Sequence, residues 1–226
     1  MLKLISSMAM GQVLVELAAA WRQISNIDVA IESVGGVDAA KRVQAGEAFD
    51  GVVLASDAID KLAASGEVVG GSRLDLVRSS VAIAVKAGAP QLDISSEAAL
   101  RRAVEAAPSI GYSTGPSGTA VVKLFERWGI ADALKAKIVQ APPGVPVGAL
   151  IARGEVALGF QQLSELLHLD GISVVGTMPE AVSITTIFSA AVCTASTQRE
   201  ALGRFYAYMA SAEAAAVKQK NGMQAA

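Results

Sequence analysis

The residues of this chain that could do chemistry are hydroxyls, amides and glycines placed where strands turn into helices. The fullest case is Ser113-Thr114-Gly115-Pro116-Ser117-Gly118-Thr119, which follows the strand-like Ser109-Ile110-Gly111-Tyr112 and precedes the apolar run Ala120 to Phe125. Glycine and proline break the strand. Ser117 or Thr119 can then cap a helix, because a hydroxyl oxygen accepts the unpaired backbone N–H groups of a first turn. Outward-pointing N–H groups and the helix dipole favour an anion at such a place. Alone, the stretch is an ordinary well-capped turn, but the arrangement recurs. Ser6-Ser7 follows the apolar run Leu2 to Ile5, with Ser7 placed to cap the helix behind it, and Gly35-Gly36 breaks a strand-like stretch before another helix.

Other chemistries are poorly supplied. The chain has one cysteine and one histidine. Cys193 lies in an apolar run and is expected to pack as a small hydrophobe. A lone cysteine builds neither an internal disulfide nor a cysteine metal site. His168 stands near a helix end with no second histidine to form a metal pair or a relay. No metal and no cofactor is expected.

The elements that position these turns follow from composition and pattern. The 226 residues are 52% apolar and 18% charged, enough for one large domain or two smaller ones with a buried core. Mean hydropathy is +0.44, raised by alanine and glycine. No apolar run of 18 residues free of charge exists, so no membrane insertion is expected. A net charge of −2 and 4% aromatic residues argue against nucleic-acid binding.

Strand-like segments at 2–5, 27–33, 49–55, 109–112, 137–140, 156–160 and 172–175 alternate with helical spacing at 8–23, 37–45, 57–64, 97–105, 120–128, 131–136 and 147–153. Ser56, Ser95 or Ser96, and a capping box at 197–200 are the expected helix starts. The alternation predicts an α/β fold with parallel sheets. Two longer strands, at 73–86 and 183–194, bracket a middle region of domain size. The predicted architecture is therefore a two-domain, periplasmic-binding-protein-like fold. Residues 1–77 plus 185–226 form a discontinuous first domain and 78–184 an inserted second one. Two crossover strands join them, and the strand-to-helix turns of both line an interdomain cleft, since open α/β sheets bind ligands beyond their strand C-termini.

Nearly the whole chain resembles the molybdate-binding solute-binding proteins of ABC transporters. The resemblance is carried by Ser6-Ser7, by Ser33-Val34-Gly35-Gly36 with Gln44 to Asp50 and Leu54 to Asp57 downstream, and by Gly70-Gly71-Ser72-Arg73. It is carried further by Ala152 to Phe160, similar to the family's RGEADAGIVY stretch, and by the terminal 209–222. The resemblance implies an oxyanion held by neutral groups at Ser7, the Gly35–Gly36–Val37 turn, Ser117, Val145 and Gln162. Ser6, Ser113, Gly118 and Gln161 complete the expected ligand-binding set. None of these turns contains arginine or lysine, so charge would be met by N–H groups, hydroxyls and dipoles. Val37 stands where the family has a serine, Pro146 removes a backbone N–H, and Gln162 replaces a tyrosine. Two amides and extra hydroxyls suit an organic carboxylate better than a tetrahedral metal oxyanion.

The function implied is a solute-binding protein that captures a small anion, with an ABC permease as partner if the chain is exported. It would be periplasmic if a leader was trimmed and cytoplasmic if Met1 is the native start. The alternative is a cytoplasmic, aconitate-isomerase-like enzyme acting on a small unsaturated polycarboxylate. An allylic isomerase needs a base beside a C–H bond. The candidates are Asp38, Tyr112 and Glu165, whose plainer roles are first-turn helix residue, strand packing and solvated helix surface. A ligand-sensing regulatory domain is a third use of such a fold, but no DNA-binding segment is present.

Overall fold

The computed structural model describes residues 1–226, which divide into two compact units, Met1–Ser79 with Thr186–Ala226, and Ser80–Thr185. The first unit opens with strand β1 (Leu2–Ser7), helix α1 (Met8–Ser25), β2 (Val29–Val34), α2 (Gly36–Gln44), β3 (Gly51–Ala55) and α3 (Ser56–Ala64). β1 pairs in parallel with β2 on one side and β3 on the other. Side chains alternate across the sheet, so Leu2 and Leu4 pack with the apolar face of α1 (Met10, Val13, Leu14, Leu17) while Ile5 faces the other layer, with Val43, Ile59 and Leu62. All five residues of β3 are buried, as a strand covered by helices on both faces requires.

β4 (Leu74–Lys86) gives its first half to this unit and its second half to the next. The second unit continues with α4 (Glu97–Ala106), β5 (Ile110–Tyr112), α5 (Pro116–Arg127), α6 (Ala131–Leu134), β6 (Ile138–Gln140), α7 (Val147–Arg153), β7 (Leu158–Gln162), α8 (Leu163–Leu166) and β8 (Ile172–Thr177). β5 runs parallel to β6 and β7, and β4 runs antiparallel to β7 and β8. Phe125, Trp128, Phe160, Leu100 and Ile83 fill one side of this sheet, and Val147, Leu150, Ile151 and Leu166 the other. The chain then returns to the first unit through β9 (Thr185–Val192), α9 (Arg199–Ala210), α10 (Ala215–Lys220) and β10 (Met223–Ala225). β9 is antiparallel to β3 and β10 to β4, so the sheets are mixed rather than all parallel as expected. No helix is long and apolar enough to cross a membrane.

The caps differ from expectation in instructive ways. Gly115, not Ser117 or Thr119, is the N-cap of α5, with Pro116 in the first helical position, where its missing N–H costs nothing. Ser56 lies inside α3 behind the cap residue Ala55, and Gln198 stands at the cap of α9 without a side-chain bond. Ser96 caps α4 as expected, accepting the Ala99 N–H at 3.2 Å. Cys193 packs in the apolar core, where burial pushes its thiol up to about 12.

Candidate functional site

In the first unit the expected donors gather where β1 meets α1. Ser7 occupies the N-cap position of α1 but makes no capping bond; its hydroxyl is buried and has no hydrogen-bond partner. Gly36, the first residue of α2, lies against it: a Cβ at 36 would sit 3.6 Å from Ser7 Cβ. Two helix N-termini thus stand beside one unspent hydroxyl. Ser6 behaves differently. It is fully buried, and its hydroxyl is shared with that of Ser33 at 2.9 Å. Gly35 is the N-cap of α2, and Val37 is exposed. Asp38 folds back over Gly35, where a Cβ would meet its Oδ2 at 3.3 Å, so a negative charge already stands at this first turn.

The second unit holds two clusters. Ser113, Ser117 and Gly118 form the first. The Ser113 and Ser117 hydroxyls are 3.3 Å apart, and Ser117 is buried inside α5. A Cβ at Gly118 would come within 1.8 Å of the Ser113 carbonyl oxygen, so only glycine lets the loop lie on the helix start. Val145 spends its N–H on the Pro142 carbonyl at 3.0 Å, closing a turn.

The second cluster centres on Gln161, at the end of β7. Glycines at 111 and 159, opposite each other in the β5–β7 ladder, let α7 settle on the sheet; a Cβ at Gly159 would meet Ile151 at 2.6 Å and Val147 at 2.7 Å. That close approach brings the Gly148 N–H to the Gln161 carbonyl oxygen at 3.1 Å. The Gln161 amide nitrogen then donates to Glu165 Oε1 at 2.9 Å. Glu165, on α8, is a half-buried carboxyl rather than a solvated one. Burial raises it from the usual carboxylate range to about 7, and only the Gln161 bond pulls the other way. Gln162 is buried beside it at the cap position of α8, and Tyr112 is half-buried at the end of β5 with Gln140 and Phe160 as register partners. No group of three histidine, cysteine, aspartate or glutamate side chains is placed to hold a metal ion.

The Gln161–Glu165 pairing escaped sequence reasoning, although both residues were named there. Gln161 has both ends of its amide engaged inside the protein, which its neighbour Gln162 gave no reason to expect. Gln161 ends a strand and Glu165 lies in the short helix that follows, so no regular side-chain spacing in the sequence marks the pair. What the arrangement offers chemically is one carboxyl able to take and return a proton near neutral pH.

A family model of bacterial extracellular solute-binding proteins matches residues 2–224. A Pseudomonas protein named aconitate isomerase is 38% identical over 215 residues, covering 92% of this chain and 82% of its own. Among solved structures, the Azotobacter vinelandii periplasmic molybdate-binding protein has a TM-score of 0.83 at 19% identity, covering 99% of this chain and 98% of that one. The sulfate-binding protein SubI from Mycobacterium tuberculosis has a TM-score of 0.80 at 15% identity, covering 99% and 86%. The two-domain, molybdate-binding-like fold is therefore the one this chain adopts; at these identities the structures speak to fold alone.

Proposed function

This chain belongs to the bacterial extracellular solute-binding protein family, and from that premise we propose that it binds a small unsaturated polycarboxylate and isomerises it. The observation that carries the reading is Glu165, half-buried, raised to about 7 and held by Gln161. The name of the 38% identical relative supports it and supplies the substrate class. In its ionised form Glu165 removes a proton from the CH2 group next to the double bond. The freed electron pair shifts along the three allylic carbons, and the protonated Glu165 returns the proton to the far carbon. Atoms and electrons balance with no oxidant, reductant or metal.

The first unit carries a donor set of its own. Ser7 offers a buried hydroxyl with no partner of its own beside the starts of α1 and α2, and a polar group left so costs about 1–3 kcal/mol unless something binds it. Pro146 has no N–H, and that of Val145 already closes a turn, which favours a carboxylate over a tetrahedral oxyanion needing a complete shell of donors.

A second reading, capture without chemistry followed by delivery to an ABC permease outside the cytoplasm, is favoured by the family model, which spans nearly the whole chain. One experiment separates the two. Incubation with cis-aconitate or trans-aconitate in D2O, followed by proton NMR, should show interconversion with the wild type. Glu165→Gln should lose at least a hundredfold in rate while calorimetry shows ligand affinity within a few-fold. Tight binding with no interconversion by the wild type would move the assignment to capture. Molybdate and citrate, titrated in parallel, report the ligand class.

A further inference from the structure

Gln161 was expected to touch ligand through its amide, yet that amide is bound at both ends within the second unit. The Gly148 backbone N–H can only donate, so the Gln161 carbonyl oxygen must face it. The amide nitrogen is thereby forced to face Glu165, where it donates to Oε1 at 2.9 Å. One oxygen of the carboxyl is thereby held in place. Gln161 itself is 2% exposed, so its rotamer is locked by packing as well as by bonds.

We infer that Gln161 is a positioning residue for Glu165, a backbone-anchored amide that orients the carboxyl for proton transfer. The inference rests on the catalytic reading of Glu165. No ionisable side chain competes for the role. β7 and β8, which carry α8, contain none, and α7 contributes only Arg153, which is paired with Glu155. Tyr112 ends β5, Lys86 ends β4, and His168 and Asp170 follow α8, while the shift of Glu165 comes from burial, opposed by the Gln161 bond.

The test uses the intact protein and two variants. Gln161→Met removes the amide. Gln161→Glu keeps an acceptor for the Gly148 N–H but turns a second acceptor toward Glu165. Carboxyl carbon NMR of the ligand-free protein reads the Glu165 titration directly, independent of turnover. Both substitutions should move the Glu165 midpoint up by half a pH unit or more. The acid limb of the kcat profile should move with it, and kcat should fall tenfold or more with KM little changed. A Glu165 midpoint unchanged in both variants would overturn the inference, as would unchanged kcat in an enzyme shown to be active. If Gln161→Met fails to fold, Gln161→Glu decides alone. If the wild type isomerises nothing, the catalytic reading fails visibly, while the NMR titration still says whether Gln161 governs the carboxyl.

Discussion

At the scale of single residues, each unit contrasts spent and unspent polar groups of its own. The hydroxyl of Ser6 is used by Ser33, the amide of Gln161 by Gly148 and Glu165, and the hydroxyl of Ser7 by nothing. Ser7→Ala should therefore weaken carboxylate binding by about 1.5–3 kcal/mol, the range for a hydrogen bond to a charged group, without lowering stability. Calorimetry and a thermal melt of the ligand-free protein check the two halves, and a destabilised variant with unchanged affinity would remove Ser7 from the site. The place of Ser7 at the start of α1 was legible because strand end, serine and helix start are adjacent along the chain. The internal bonds of Gln161 were not legible, because Gly148, whose N–H meets its side-chain carbonyl, lies on another element and is chosen by packing.

Elements place those residues through close approach. α7 reaches the Gln161 carbonyl because Gly159 and Gly111 leave no Cβ between helix and sheet. Gly159→Ala should push Val147 and Ile151 outward, costing about 1–3 kcal/mol of stability as overpacking does. It should also reduce isomerisation by lengthening the Gly148–Gln161 bond. Urea denaturation and initial rates measure both, and a neutral variant would show that α7 can slide without disturbing Glu165. The order of strands and helices was legible because hydrophobic spacing changes from 2 to 3.6 at nearly every boundary. Caps were less so. Ser117 has the right chemistry for a cap, yet Pro116 two residues after Thr114 sets the first turn and draws Ser117 into the helix. The antiparallel direction of β9 against β3, and the pairing of Met223 with Ser79, depend on contacts more than a hundred residues apart and leave no local trace.

For the whole molecule, the poised carboxyl is a stability cost. A glutamate near 7 in the folded chain and near its ordinary 4.5 in the unfolded one binds more protons when folded between those values. Stability therefore falls as pH rises from about 4.5 through 7, by at most about 3 kcal/mol. Glu165→Gln keeps the oxygen that accepts from Gln161 and loses the charge. It should be more stable than the wild type at pH 8 and nearly equal to it at pH 5, as read from urea midpoints; an equal difference at both values would mean an ordinary carboxyl. The division of the chain has a further consequence, for the order in which the protein is made. β3 pairs with β9 through Gly51–Val192 to Ala55–Phe188, and Ser80–Thr185, the entire second unit, lies between them. On a ribosome adding about 5–20 residues per second, β3 waits roughly 7–28 s for its partner. The second unit, continuous in the chain, can be finished in that interval. The first unit meanwhile holds an apolar strand edge open to every other nascent chain, and it closes only when residues from Thr186 onward emerge.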